Sequence, residues 1–164
     1  MKTQKTKDME RLMTALDICR KFHADQVDKC GQPYWIHPFT VAIRGFTGYD
    51  SNISYAIVGL LHDILEDTNT TMGDLMTLID LTDEEIEALR LLIHNDDVFY
   101  DEYIDSIIAS KNRIAISVKL DDLLHNMNLS RFKEAGIKIT TKDRRRRKKY
   151  QKAFDKLLLA LNMG

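Results

Sequence analysis

Apolar residues recur at steps of three and four along most of the chain, which is the spacing of amphipathic helices. A first helix is predicted over residues 8–27. Its apolar stripe consists of Met9, Leu12, Met13, Leu16, Cys19 and Phe22. Pro38 suits the first turn of a second helix, so His37 stands at a helix entrance. Ser51 or Asn52 can cap a third helix that runs to about Asp67, and its apolar surface predicts a central position.

Further helices are predicted in the second half of the chain. Thr82 with Glu85 forms a capping box before one of them, and apolar positions over residues 103–108 indicate a short helix. Residues 112–130 form another helix, and Thr140 or Thr141 caps the last. No stretch alternates cleanly between apolar and polar residues with turn glycines at its ends. The pattern therefore predicts an all-α bundle, and we expect one domain over residues 1–164.

Composition and charge narrow the class of protein. The 164 residues include only 2 prolines and 7 glycines, which excludes collagen-like and low-complexity chains. Lys and Arg number 24 against 25 Asp and Glu, so the molecule as a whole does not attract nucleic acid or an anionic membrane. No apolar run approaches the roughly 20 residues of a membrane span, and the start of the chain lacks a signal-peptide pattern. With only 2 cysteines, we expect reduced thiols and a cytoplasmic protein.

The most informative segment is the end of the third predicted helix. At about 100° per residue, four polar side chains share an arc of roughly 140°, with the small residues Ala56 and Gly59 on the same face. These polar residues are His62, Asp63, Glu66 and Asp67. Three carboxylates beside an imidazole repel one another and lose hydration, so a metal ion would compensate them. For this helix alone, the alternative is a solvated polar face.

Residues 117–127 carry a complementary half of the predicted site. Lys119, Asp122 and Asn126 line one side of that helix. Together with the helix entrance, the chain then offers two imidazoles and two carboxylates as metal ligands, namely His37, His62, Asp63 and Asp122. A mixed set of this kind suits Mn²⁺, Fe²⁺ or Zn²⁺ better than Mg²⁺ or Ca²⁺, and we favour Mn²⁺. Such an ion would activate water, so the predicted chemistry is hydrolysis.

Four motifs extend this prediction to a known family. They are His23-x-x-Gln26, Gly31-x-Pro33-Tyr34-x-Ile36-His37-Pro38, Leu61-His62-Asp63-x-x-Glu66-Asp67-Thr68 and Val118-Lys119-Leu120-x-Asp122-x-Leu124-His125-Asn126-Met127. In order and spacing they resemble the HD-domain hydrolase of the RelA/SpoT family. The resemblance implies an HD-domain helical bundle and removal of the 3′-pyrophosphate from the alarmone ppGpp, giving GDP or GTP and pyrophosphate. We expect no synthetase half.

The resemblance also implies roles for individual residues. It implies that the four ligands given above bind Mn²⁺. It also implies that Glu66 and Asp67 position or activate the attacking water. Asn126 orients the nucleotide. Lys29 and Lys119 are predicted to hold the substrate with it. We therefore expect a metal-dependent phosphohydrolase whose partner is a small nucleotide, not a membrane or a nucleic acid, and the oligomeric state stays open.

Two positions depart from the family's pattern. Asp28 stands where many alarmone hydrolases have Arg, and Asn128 replaces the Arg that commonly follows the His-Asn-Met motif. A carboxylate facing several phosphates is repulsive unless it points away. One alternative is therefore hydrolysis of another nucleotide, such as a nucleoside monophosphate or a cyclic or signalling nucleotide. A second is an idle nucleotide or nucleic-acid binding module that uses the basic run of residues 144–149.

The remaining notable residues are interpreted structurally. Three histidines, His23, His94 and His125, are interpreted as hydrogen-bonded helix residues, and the basic run as a solvated face. Tyr34 and Trp35 are expected to close the core instead of stacking on a base. The acidic connector of residues 95–102 is either a lid or an exposed link, and the sequence favours neither.

Overall fold

The computed structural model describes residues 3–47 and 52–163. Within these residues the chain forms ten helical segments. They are α1 (Gln4–Phe22), α2 (Ile36–Thr47), α3 (Ile53–Leu61), α4 (Ile64–Asp67), α5 (Met72–Leu78), α6 (Asp83–Leu92), α7 (Tyr100–Ser110), α8 (Arg113–Asn126), α9 (Ser130–Glu134) and α10 (Thr141–Met163). In the described part of the chain, extended backbone pairs only at an isolated bridge between Val27 and Pro33. The predicted all-α fold is confirmed.

The third helix lies at the centre of the bundle, as its apolar surface predicts. Every residue from Tyr55 to Leu61 is buried, and α3 packs against α1, α2, α6 and α8. Burying a side chain such as Ile57 contributes about 1.5–3 kcal/mol. Asn52 caps the helix, because its side-chain oxygen accepts a hydrogen bond of 3.0 Å from the Ser54 N–H. Ser51, the other predicted cap, lies outside the described residues.

The prediction that this helix continues to Asp67 is wrong. It ends at Leu61, and α4 begins at Ile64 after a turn formed by His62 and Asp63. The His62 ring nitrogen Nδ1 lies 2.8 Å from the Gly59 carbonyl, which an unbroken helix would offer to the N–H of Asp63. Competition of this side chain for the carbonyl accounts for the break. The turn separates the polar residues that a continuous helix would keep on one face.

Other boundaries differ from the predicted ones. Helix α1 begins earlier, at a cap formed by Thr3, and ends at Phe22 because residues 26–34 form a tight turn. In that turn the Tyr34 N–H donates to the Gln26 carbonyl at 2.9 Å. Helices α5 and α9 were not predicted, and the helix predicted over residues 112–130 ends at Asn126.

Two predicted helix starts are confirmed. Thr82 and Glu85 form the capping box of α6. Thr140 caps α10, since its Oγ1 accepts from the Asp143 N–H at 3.2 Å. Among the described helices, none has the length and apolar character to cross a membrane.

Candidate metal centre

The four predicted metal ligands come together from three parts of the fold. Helix α2 carries His37, the turn between α3 and α4 carries His62 and Asp63, and α8 carries Asp122. Ligand atoms of the first three all lie within 4.8 Å of one another. Asp122 is not part of this group of three, but its Oδ1 lies 3.2 Å from His37 Nε2 and 3.9 Å from His62 Nε2. The long-range convergence that a shared ion requires is therefore present.

The environment of His62 fits a metal ion. Its Nδ1 bonds to the Gly59 carbonyl, which places the ring hydrogen on Nδ1 and leaves a lone pair on Nε2. Nε2 is buried and has no hydrogen-bond partner among the described residues, although Asp63 Oδ1 is 3.1 Å away. When two ligand atoms each lie about 2.1 Å from an ion and their bonds form a right angle, the two atoms are about 3 Å apart. A lone pair facing a carboxylate oxygen at this distance fits a cation shared by both.

His37 lies between the two carboxylates. Its Nε2 is 3.3 Å from Asp63 Oδ2 and 3.2 Å from Asp122 Oδ1. Burial by itself lowers the pKa of His37, but hydrogen bonds to Asp122 and Asp63 and their charges raise it to about 10. Conversely, burial raises the pKa of Asp63, yet the charge of the His62 ring when it is protonated, followed by the hydrogen bond from His37, holds it well below its usual range. A divalent cation would compete with the His37 proton for the same negative charge.

Asp122 is fixed by two neighbours on its own helix. Lys119 Nζ donates to Oδ2 at 2.9 Å, and Asn126 Nδ2 donates to Oδ1 at 2.5 Å. Burial lowers the pKa of Lys119, but the Asp122 charge raises it well above its usual value, so the ammonium stays charged. It also lies 5.3 Å from the centre of the Tyr103 ring. Two of the predicted substrate-binding residues thus contact a proposed metal ligand directly.

Glu66 and Asp67 follow the ligand pair His62 and Asp63 in the chain, and both are partly exposed. Burial raises the pKa of each, and the charge of Asp63 adds to the effect. Glu66 Oε2 accepts from the His94 backbone N–H at 3.3 Å. A carboxylate with a raised pKa is a better proton acceptor than an ordinary surface acid, which suits the predicted role in handling water.

Tyr34 joins the proposed ligands to Asp67. Its hydroxyl oxygen lies 2.9 Å from Asp63 Oδ2 and 2.8 Å from Asp67 Oδ2. The hydroxyl has one hydrogen and donates fully to only one carboxylate at a time. The sequence interpretation of Tyr34 as a core residue therefore missed a polar contact, and its position within the Pro-Tyr-x-Ile-His-Pro motif was the available signal.

His125 supports His37 from the side away from the carboxylates. The two Nδ1 atoms are 2.6 Å apart and both residues are buried. Burial, followed by the charge of His37, lowers the pKa of His125 to about 4, so the ring is neutral and can accept from His37. The prediction of a hydrogen-bonded histidine is confirmed, but its partner could not be read from the sequence.

Gly59 lets α2 approach the central helix, as its small size predicts. A Cβ at this position would lie 3.0 Å from the Ala42 Cα and 3.1 Å from the Ala42 nitrogen. These distances are tighter than ordinary van der Waals contact, so a larger residue would push the helices apart. The spacing matters because α2 carries His37 and the turn after α3 carries His62.

A cleft of about 690 Å³, part of it open to solvent, adjoins the centre. Its wall includes His37 and Asn126, and three cationic side chains also line it. These are Lys29, Arg131 and Arg146. Among the described residues, Lys29 Nζ makes no hydrogen bond or ion pair, and burial followed by the charge of Arg146 lowers its pKa. The predicted substrate residues Lys29 and Asn126 therefore share one cleft, and Lys119 is not among the residues that line it.

Asp28 does not present a free charge to this cleft. Its Oδ1 accepts from the N–H groups of Cys30 and Gln32 at 2.7 and 2.9 Å. Its Oδ2 forms a close ion pair with Nη2 of Arg131. The carboxylate is thus neutralised within the protein, and the predicted repulsion of a phosphorylated substrate does not arise in this form. Nothing in the sequence pattern of residues 27–29 indicated this partner.

Several other interpretations also have structural outcomes. Trp35 packs on Phe39 and against the core, as expected. His23 and His94 are hydrogen-bonded, but they follow the last residues of α1 and α6 instead of lying within helices. In the acidic connector, Phe99 is exposed.

The basic run does not form a uniform solvated face. Arg144, Arg147 and Lys148 are exposed, but Arg146 is half-buried in the cleft. Lys149 Nζ lies 4.1 Å from the centre of the Tyr100 ring. The interpretation as a solvated face is therefore correct for part of the run only.

The fold and site define a class: an all-helical HD-type domain whose His/Asp cluster can hold a metal ion. No family model matches the chain. A probable guanosine-3′,5′-bis(diphosphate) 3′-pyrophosphohydrolase of Mycoplasma pneumoniae is 28% identical over 131 residues, 72% of this chain and 18% of its own length. A protein of the same name from Synechocystis is 32% identical over 148 residues, 77% of this chain and 19% of its own length. Other relatives are named GTP pyrophosphokinase.

A solved structure extends the comparison to the fold. It is of a metazoan ortholog of SpoT that hydrolyses ppGpp, and it has a TM-score of 0.71 over 93% of this chain and 92% of that chain. At 21% identity the likeness concerns the fold alone. The resemblance to RelA/SpoT-type HD-domain hydrolases is confirmed, and this chain is a homologue of those proteins. It spans about a fifth of the length of the curated relatives given above.

Proposed function

We propose that this chain is a metal-dependent phosphohydrolase that removes the 3′-pyrophosphate of (p)ppGpp. The observation that carries the proposal is the convergence of His37, His62, Asp63 and Asp122 beside a cleft lined by cations. The names of the curated relatives support the choice of reaction and substrate. The proposal includes Mn²⁺ as the ion and a single HD-type hydrolase domain over residues 1–164.

The two imidazoles and two carboxylates would hold the ion. When bound, such an ion lowers the pKa of a coordinated water and polarises a phosphoryl oxygen. The bond from His62 Nδ1 to the Gly59 carbonyl orients one ring, and the contact with His125 orients the ring of His37. Lys119 offsets the negative charge of Asp122 and fixes its direction.

Glu66 and Asp67 are proposed to accept the proton of the attacking water. Hydrolysis forms a bond between the water oxygen and the phosphorus attached to the ribose 3′ oxygen, and it breaks the bond between that phosphorus and the 3′ oxygen. The 3′ oxygen takes up a proton and becomes the 3′ hydroxyl of GDP, and the two phosphates leave as pyrophosphate. The water proton then passes to a carboxylate oxygen of Glu66 or Asp67, whose raised pKa values favour accepting it. Tyr34 holds Asp67 against Asp63 through its hydroxyl. Lys29 and Asn126 would hold the nucleotide in the cleft.

The test is release of pyrophosphate from ppGpp by the purified chain with MnCl₂. Wild type should convert ppGpp to GDP, and His62→Ala should abolish Mn²⁺-dependent turnover. His94→Ala is the matched control, because its side chain bonds to the Val98 carbonyl and the variant keeps the backbone N–H that donates to Glu66. Turnover that is unchanged in His62→Ala would contradict the assignment.

Hydrolysis of a nucleotide with fewer phosphates is the second candidate. Asn128 favours it, since this uncharged residue lines the cleft where the related hydrolases commonly carry Arg. A panel of ppGpp, nucleoside monophosphates and cyclic nucleotides with phosphate and pyrophosphate detection separates the two candidates. An idle binding module would bind nucleotide without turnover of any of them.

A further inference from the structure

The cleft beside the metal centre collects positive charge from three separate elements. Lys29 lies in the turn after α1, Arg131 lies in α9 and Arg146 lies in α10. Arg146 pairs with Asp143 at 3.5 Å, and Lys29, which makes no hydrogen bond or close ion pair among the described residues, is also attracted by the charge of Asp143. Like charges gathered from distant parts of a chain repel one another unless an anion joins them. Asp28 and Asp143 offset two of these three charges, so the cleft keeps a smaller net positive charge that favours an anion.

Arg131 has the most defined geometry of the three cations. Its Nη2 pairs with Asp28, and its Nη1 lies 3.3 and 3.2 Å from the two ring nitrogens of His125. A guanidinium carries five N–H groups, and these contacts leave others unused. The side chain is 27% exposed where it lines the cleft. Asp28 and His125 thus hold in place a cation that lines the cleft and keeps unused N–H groups.

We propose that Arg131, held by Asp28, is the phosphate-binding residue that lets this cleft accept a multiply phosphorylated nucleotide. The proposal rests on the proposed function and names the substrate feature that it requires. A fixed guanidinium suits phosphate because its donors match two oxygens at once. Arg131 also contacts His125, which contacts His37, so the bound phosphate would lie next to the metal centre.

The test measures binding without turnover. Calorimetric titration of ppGpp, GDP and GMP into the EDTA-treated chain compares wild type with Arg131→Met and Arg131→Lys. Affinity for ppGpp should fall roughly 10- to 100-fold in Arg131→Met, with an intermediate loss in Arg131→Lys and a smaller loss for GMP. Arg90→Met is the matched control, since Arg90 is exposed on α6 and outside the cleft.

Two further measurements separate phosphate binding from a structural role. In a plot of log affinity against log salt concentration, the slope for Arg131→Met should be smaller than that of wild type by about one, because one fewer cation contacts phosphate. The increase in melting temperature that MnCl₂ causes should be the same in Arg131→Met as in wild type. A ppGpp affinity within about twofold of wild type would overturn the proposal. The proposal would also be overturned if Arg131→Met lost as much affinity for Mn²⁺ as for ppGpp, or if metal-free wild type did not bind ppGpp.

Failure of this proposal is distinguishable from failure of the proposed function. If wild type binds ppGpp through Arg131 but releases no pyrophosphate with Mn²⁺, the phosphate site stands and the proposed reaction is wrong. If Arg131→Met hydrolyses ppGpp with an unchanged KM, the reaction stands and Arg131 has no part in recognition.

Discussion

The metal centre and the cleft beside it are built in different ways. In the centre, each proposed ligand is buried or nearly so and is held by at least one further group, such as Gly59, His125 or Lys119. The cleft instead uses side chains from a turn, a short helix and the last helix, and they stay partly exposed. Both departures from the family's pattern, Asp28 and Asn128, lie in the cleft. We therefore expect substitutions at the metal ligands to be more damaging than substitutions in the cleft, where a pair such as Asp28 and Arg131 can replace the family's usual residues.

The largest effect is expected from breaking the centre at Asp122. Asp122→Asn should reduce Mn²⁺-dependent turnover on the order of 10³-fold, because an anionic ligand is lost. It should also destabilise the fold by about 3–5 kcal/mol, since the buried Lys119 ammonium loses its partner at 2.9 Å. Urea unfolding and the pyrophosphate assay measure the two effects.

A double variant separates these effects at Asp122. Lys119→Met with Asp122→Asn should recover most of the stability but none of the turnover, because the buried charge is removed and the ligand is still missing. The control is the exposed pair of Lys156 and Asp105, 2.7 Å apart, for which the same two substitutions should leave unfolding and turnover unchanged. Recovery of turnover in the double variant would show that Asp122 does not hold the metal.

A smaller effect, at most about tenfold per pH unit, is expected in the pH dependence of metal binding. His37 must lose its proton to bind the ion, and its pKa of about 10 lies above the ordinary 6.5. Affinity for Mn²⁺ should therefore rise between pH 6.5 and 8.5, measured by titration in buffers of different ionisation enthalpy. The His37 contribution to the stability of the metal-free fold has the opposite sign: it is complete below pH 6.5 and is lost as the pH rises through about 10.

This pH dependence should be confined to the centre. Metal affinity that is flat between pH 6.5 and 8.5 would contradict a direct bond between His37 and the ion.

The smallest effect is expected in the cleft at Lys29. Lys29→Met should raise KM for ppGpp by about tenfold or less and leave kcat unchanged, because one partly exposed cation contributes to binding and not to the reacting atoms. Steady-state kinetics with Lys7→Met as the control measure it, since Lys7 is exposed near the start of α1. A fall in kcat with constant KM would move Lys29 from recognition into the chemistry.

Much of the fold follows from local patterns. The apolar stripes predicted the helices, and the caps at Asn52, Thr82 and Thr140 were visible because a capping side chain bonds to its own helix. The missed helix α5 also has a capping box, Thr71 with Asp74, so its signal was present in the sequence. The break at His62 was not predictable from periodicity, because it depends on how one ring competes for a backbone carbonyl.

Spacing and residue chemistry along the chain were enough to predict the all-α class, the central third helix and the residue types of a metal site, because these are local properties. Helix packing, by contrast, brings α2, the turn after α3 and α8 together and pairs Asp28 with Arg131. These contacts join residues far apart in the chain, and their distances follow from how the helices pack around α3. The pattern of residue types along the chain does not give these distances.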